Sequence, residues 1–406
     1  MSARTVPPLQ AIERLLSVRP QLMAVVDAGE ALGLGPRELL HAGPPLLDAH
    51  APPPVLMSSA VMSCLHEGWA GDEASAEAMV RSGAVSLSPA QDRGCLAPLA
   101  ALVSQHTPLL DVGDEAGSGL HCWAPLSTVR GPDTRMGDRD ADLLMRLAQR
   151  DAEIAPALRQ ALAGEGPLAL FPLAAQGLGA GDDLHSRTTA ATAALADALG
   201  GRGATALAIH LDATPLFFLT LWMAACGLLL RAAEGPGLLP SLVTRAGGNG
   251  ERFGLCLAGA PGRWASVRAL PPAGPRLPTA ASGTAICGAI GDSAVIDLLG
   301  FGAQRLAQAP EPLAALAGVL PAGFEQLAER LMLTAHPAFA GLRVGLDARR
   351  VIDEAASPLV GLAMLAADGR GGLVGGGLYR PPLTLFDRAL HRLGATAFTA
   401  TSRSIG

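Results

Sequence analysis

From Leu216 to Leu230 the chain runs fifteen residues without a charged side chain, bounded by Pro215 and Arg231. A membrane-crossing helix needs about 20 apolar residues, so the run is too short to span a bilayer. It is also too uniformly apolar to lie on a surface. It reads as a helix buried in a core. The remaining sequence can support such an element: of 406 residues, 50% are hydrophobic and 16% charged, against about 25% charged in ordinary soluble domains. A mean hydropathy of +0.33 excludes a disordered chain. At about 100–200 residues per domain, two or three domains are expected.

The 30 cationic side chains are all arginines, and 36 acidic residues leave a net charge of −6. No basic stripe offsets that balance, so neither nucleic acid nor membrane is an expected partner. Without lysine, Schiff-base chemistry and a GxxxxGK[ST] phosphate loop are excluded. One asparagine remains, Asn249, between glycines. In a chain drifted so far toward Ala and Arg, a single surviving Asn points to a constrained position. Six scattered cysteines form no CxxC pair, which argues against a zinc site, a redox motif or a disulfide framework. Met1–Leu9 has no charged-then-apolar leader pattern, so a cytoplasmic location is expected.

Apolar spacing predicts a helix after residue 9, a strand at Leu22–Val26, an amphipathic helix over 55–69 and another over Glu73–Val80. Short strands follow near Ala84–Leu87 and Leu109–Val112. Arg130–Arg159 reads as helical and solvated, and Leu168–Leu199 as a second helical block. Strands at Gly254–Ala258 and Ala285–Ala289 alternate with Gly-rich turns. The expected class is α/β (α+β), with two α/β domains flanking a small helical subdomain: residues 1–125, 126–200 and 201–406.

The densest polar cluster is Gly181-Asp182-Asp183-Leu184-His185-Ser186-Arg187-Thr188. Asp182 or Asp183 would cap a helix, with Leu184, Arg187 and Thr188 on one face. A carboxylate, an imidazole and a guanidinium this close can hold an anion and move a proton. A capped helix with a solvated first turn explains the same residues. Arg245-Ala246-Gly247-Gly248-Asn249-Gly250 reads either as an anion cradle of backbone N–H groups, with Arg245 adding a bidentate contact, or as a tight hairpin turn. Asp292 and Ser293 are expected at a strand-to-helix junction. His41 ends an apolar segment before Pro44-Pro45. His66-Glu67 lacks the second His of a zinc-protease helix.

The ordered motifs His41-Ala42-Gly43-Pro44-Pro45, Glu67-Gly68-Trp69, Gly181-to-Arg187, Asn249-Gly250 with Phe253-Gly254, Gly291-Asp292-Ser293 and Gly345-Leu346-Asp347 resemble the YlbE-like, AllG-type family over about residues 9–395. The resemblance implies a subunit of a carbamoyltransferase complex interconverting oxalurate plus phosphate with oxamate plus carbamoyl phosphate. It implies an FdrA-like subunit, similar to acyl-CoA synthetases, and a second small subunit as partners, with small anionic substrates and no cofactor or metal. His185, Asp183 and Asp182 are then the expected catalytic residues. Arg187, His41, Glu67, Arg245, Asn249, Gly250, Asp292 and Ser293 are the expected substrate- and anion-binding residues. The chain departs from the family pattern at Asp183 and Asp297, where the pattern has Glu, at Ser186 and Thr188, where it has Asn, and at Ala366-Ala367, where it has His-Lys. Such departures leave room for a different amide acceptor, or for a scaffold subunit that binds the FdrA-like partner without catalysis. A metal-dependent enzyme using Asp182, Asp183 and His185 is a third reading, without a known ligand spacing behind it.

Overall fold

The computed structural model describes residues 9–402 apart from 129–132, 202, 204, 213 and 236–238. The apolar run forms the helix Phe217–Ala232, which buries every residue except Leu219 and Arg231. Trp222 is its anchor. It stacks on Phe218 at 5.9 Å between ring centres and meets Phe301 edge-on at 5.0 Å, with Phe171 and Phe339 closing the cluster. Five of this aromatic-poor chain's rings therefore lock the helix in place, each pair adding about 0.5–1.5 kcal/mol beyond its buried area.

One side of this central helix packs on a four-stranded antiparallel sheet. Its strands are β1 (Pro20–Asp27), β4 (Pro108–Asp114), β5 (His121–Pro125) and β6 (Leu168–Ala169), in the order β5-β4-β1-β6. Between β1 and β4 lie β2 (Glu38–His41) and β3 (Ser86–Pro89), a parallel pair. The other side packs on β7 (Val243–Asn249) and on the short helix Ala294–Leu299. With β8 (Arg252–Leu257), β9 (Ala265–Arg268) and β10 (Ile290–Gly291), β7 makes a second antiparallel sheet in the order β10-β7-β8-β9. Two antiparallel pairs complete the chain: β11 (Met332–Ala335) with β12 (Arg343–Leu346), and β13 (Val360–Leu365) with β14 (Leu373–Tyr379). The mixture of helices with several small sheets is the α/β class expected from the sequence.

Five local expectations were corrected. The helix Pro54–His66 is not amphipathic: Val55 through Cys64 are all buried. The 168–199 block is broken into β6, a helix Leu170–Gly179 and a helix Thr189–Gly201, with residues 180–188 as a loop. Leu184 has φ +65°, so it cannot share a helical face with Arg187 and Thr188. The stretch read as helical and solvated is helical from Asp142 to Glu165, but it buries Leu143, Leu147, Arg150 and Ile154; residues 130–132 lie outside the described ones. The strand expected at Ala285–Ala289 falls instead at Ile290–Gly291, with Ile286 making one isolated bridge to Ala366. Met1–Pro8 of the leader reading also lies outside the described residues. Among the described residues no helix is long and apolar enough to cross a membrane.

Glycine lets three distant segments touch. A Cβ on Gly248 would fall 2.1 Å from the Ala289 carbonyl oxygen, and one on Gly43 would fall 2.5 Å from Gly248. Only backbone without side chains permits the turn after β2, β7 and β10 to approach this closely.

Candidate functional site

The 180–188 loop is organised by its own carboxylates. Asp183 Oδ1 accepts from the backbone N–H groups of His185 and Arg187, both at 2.9 Å. This side-chain-to-backbone pairing competes with helix formation and explains why the loop is not helical. Asp182 Oδ2 accepts from Ala191 N at 2.9 Å, so it satisfies a donor in the first turn of the following helix from outside the cap position. Asp182 Oδ1 pairs with Arg187, whose Nε also donates to Glu311 at 2.7 Å. The side chain of Asp182 is buried and that of Glu311 is exposed.

His185 is 6% exposed and lies between two acids. Its Nδ1 is 2.7 Å from Asp297 Oδ2, a charge contact whose N–H is not in line with the oxygen. Burial pulls the imidazole pKa down, but Asp297 and then Asp183 push it up further, so the net shift is upward. Asp183 is shifted upward by burial, and its Oδ2 has no partner. Asp297 Oδ1 accepts from Ala303 N at 2.7 Å. Gly302, at φ +53°, lies where a Cβ would stand 2.4 Å from that oxygen and 2.9 Å from His185 Cβ.

Asp292 forms a second centre. It is fully buried, and its Oδ1 accepts from Gly43 N at 2.8 Å and Gln91 Nε2 at 2.6 Å, while Oδ2 accepts from Ala97 N at 2.9 Å. Burial raises its pKa to about 7 against the pull of these donors, because no cation shares the site. Asp292 and Ser293 do occupy the expected strand-to-helix junction, ahead of the helix Ala294–Leu299, although neither side chain caps it. His41 is buried beside this centre at the end of β2. Its Nδ1 contacts the Ala42 carbonyl at 2.8 Å, its Nε2 has no partner, and burial lowers its pKa to about 4.

Asn249 Oδ1 accepts from Glu251 N at 3.0 Å and Arg252 N at 2.7 Å, and its Nδ2 donates to Pro44 O at 2.9 Å. The hairpin reading therefore describes this segment: β7 turns into β8 through Gly250, at φ +85°, and the side chain of Asn249 ties that turn to the segment after His41. Arg245 is held by Glu234 through Nε at 2.8 Å and by Asp92 through Nη1 at 2.8 Å. Glu67 accepts from His106 N at 3.0 Å and from His106 Nδ1 at 2.6 Å, and touches neither centre.

The structure thus gathers Asp182, Asp183, His185 and Arg187 into one network, and His41, Asn249, Gly250 and Asp292 around another. The helix Ala294–Leu299 joins them, with Asp292 just before it and Asp297 within it. Asp297 and Gln91 were not among the expected site residues. Asp297 carried a sequence signal, five residues after Asp292; Gln91 carried none. No group of His, Cys, Asp and Glu among the described residues is arranged to hold a metal ion.

A buried acid–imidazole–acid arrangement and a second fully buried carboxylate lie at one short helix of this multi-sheet α/β protein. The chain belongs to the family described as oxamate carbamoyltransferase subunit AllG, whose model matches residues 85–293. It is 31% identical over 408 residues to the oxamate carbamoyltransferase subunit AllG of Escherichia coli (strain K12), covering 94% of this chain and 96% of that one. It is 28% identical over 405 residues to the uncharacterized protein YahG of the same organism, covering 94% and 84%. A crystal structure of a conserved protein of unknown function from Enterococcus faecalis V583 shares the fold, with a TM-score of 0.87 at 24% identity over 96% of this chain and 97% of that one.

Proposed function

We propose that this chain is a subunit of a cytoplasmic carbamoyltransferase that interconverts oxalurate plus phosphate with oxamate plus carbamoyl phosphate, or uses a related small amide. It works with an FdrA-like subunit and a second small subunit, in a hetro-oligomer that needs no cofactor. The observation that carries this reading is the 31% identity to AllG across 94% of the chain, joined to a buried His185 whose pKa is raised by two carboxylates.

In the phosphorolytic direction a phosphate oxygen bonds to the ureido carbonyl carbon of oxalurate, and the bond from that carbon to the oxamate nitrogen breaks. The departing nitrogen needs a proton, and the tetrahedral intermediate needs its oxyanion stabilised. A charged His185 supplies the proton, with Asp183 and Asp182 positioning the loop that carries it. Arg187 exchanges its contact with the exposed Glu311 for a substrate anion. His41, Asn249, Gly250, Asp292 and Ser293 shape the other end of the site, and Arg245 and Glu67 complete the anion-binding set.

A scaffold subunit is the second reading. Its supporting observation is that Arg187 already engages both Asp182 and Glu311. Thermal unfolding with carbamoyl phosphate, oxamate, oxalurate and phosphate separates the two, because a ligand at 100 times its Kd adds about 2.7 kcal/mol. A shift in the wild type that is lost in Arg187→Ala supports the transferase. Absence of any shift, repeated with the FdrA-like partner present, supports the scaffold.

A further inference from the structure

The sequence carries no basic stripe, yet the fold assembles one from three separate elements. β8 and β9 bury Phe253, Leu255, Ala265 and Val267 on one face, and turn Arg252, Ser266 and Arg268 outward on the other. The helix Leu383–Ser402 packs along β9 and adds Arg388. Leu270, two residues past Arg268, is 58% exposed, and Leu47 is 71% exposed. Both leucines flank Glu251, which accepts from Leu47 N through its side chain and from Ala269 N through its carbonyl. We propose that this outer face is the surface on which the chain docks an acidic segment of a partner subunit.

Two observations carry the inference, and the first is a concentration of positive charge. Arg252 Nη2 and Arg388 Nη1 both donate to Ser266 O, at 2.8 and 3.2 Å, so two guanidinium groups stand side by side around one neutral oxygen. Arg252 also lies directly opposite Arg268 across the β8–β9 ladder, a like-charge pairing that weakens a sheet. Among the described residues no carboxylate pairs with any of the three. The acids next to them in sequence are engaged elsewhere: Glu251 with Leu47 N, and Asp387 with His391 at 3.4 Å. The whole chain stands at −6, so long-range charge turns an acidic partner away from the molecule as a whole and toward this face.

The second observation is the apolar flank. Five large hydrophobic side chains stay exposed among the described residues, and two of them, Leu47 and Leu270, stand beside the Arg252–Arg268 pair. Arginine next to an apolar anchor is the composition of a protein–protein contact. A free phosphate would have no use for the leucines, and a nucleic acid needs a longer basic track than three arginines. The carbonyls of Trp264 and Ser266 along β9 are already taken by Arg392, Arg252 and Arg388. The partner is therefore held through side chains and not as an added strand.

The identity of the partner rests on the transferase reading, which supplies the FdrA-like subunit and the second small subunit. The test is sedimentation of the full chain with each of them, at low and at high salt. Association of the wild type that weakens with salt is expected. Arg268→Glu should weaken it about tenfold. The same substitution should leave the melting temperature unchanged or higher, because it turns a like-charge cross-strand pair into an opposite-charge one. Adding Leu270→Asp should abolish association. An arginine kept for the fold alone would give the reverse, a lower melting temperature with association intact. Wild-type association that ignores salt, or that both substitutions leave unchanged, overturns the proposal while the transferase reading stands. If the wild type joins neither subunit, the transferase reading loses its partners, and the surface is tested with a fluorescent peptide rich in Glu and Leu. Salt-sensitive binding that is lost in Arg268→Glu supports the surface; no binding, or equal binding to both chains, overturns it.

Discussion

Arg187, on the loop before the helix Thr189–Gly201, and Arg231, in the last turn of the central helix, illustrate two ways of treating a half-buried cation. Arg187 is paired with two acids: Asp182 holds it through Nη1 and Glu311 through Nε, and its loop is braced by Asp183. Arg231 has one carbonyl and a glycine floor, and its remaining edge faces open space. The first arrangement balances the cation with carboxylates, one of them exposed and exchangeable. The second leaves the cation on a neutral carbonyl. A residue's type and burial do not separate these cases; the charge of its partners does.

Four measurements would break or sharpen that contrast. The largest effect is expected from Asp297→Ala, which leaves His185 charged without its nearest acid and Ala303 N without its acceptor. Removing one member of a buried ion pair costs about 3–5 kcal/mol, readable in urea unfolding. A cost below about 1 kcal/mol would mean that the His185 side is not held by its charges. Gly302→Ala comes next, at about 1–3 kcal/mol, because the residue is left-handed and the added methyl would meet the Asp297 carboxylate.

Third is the pH response. Asp292 is raised to about 7 in the folded protein. Its contribution to stability is therefore full below the ordinary carboxylate range and is lost as pH rises through about 7. His185, also raised, works in the same direction. Melting temperature should fall between pH 5 and pH 8, with a slope of at most about 1.4 kcal/mol per pH unit for each group. Asp292→Asn should flatten that slope, and an unaltered profile would remove Asp292 as its source. The smallest effect is expected from Thr244→Val: the buried Thr244 hydroxyl has no hydrogen-bond partner, so stability should change by no more than about 0.5 kcal/mol. A larger loss would show that its hydroxyl already has a structural use.

The sequence was most readable where the physics is local. Fifteen apolar residues between Pro215 and Arg231 require a buried helix whatever surrounds them, and that helix is the centre of the molecule. The polar cluster at 181–188 was visible, but its conformation was not: the hydrogen bonds of Asp183 to two backbone N–H groups override helical spacing, and Leu184 is turned to positive φ. Asn249 stood out by its solitude. The constraint on it is the bond to Pro44 and the locking of a hairpin. Arg231 gave only a helix-end signal, because the absence of partners is a property of three-dimensional surroundings. The pairing of His185 with Asp297 depends on a contact between distant segments, which no spacing within either one encodes.

The clamp on Asp292 has a consequence for the birth of the protein. Its three donors lie 249, 201 and 195 residues upstream, at Gly43, Gln91 and Ala97. A ribosome adding about 5–20 residues per second delivers the acceptor roughly 10–40 s after the last of those donors has been made. During that interval the backbone N–H groups of Gly43 and Ala97 and the Gln91 amide lack that acceptor. A chain arrested before residue 292 would therefore leave these three donors, set in three separate early segments, without the one carboxylate that ties them together.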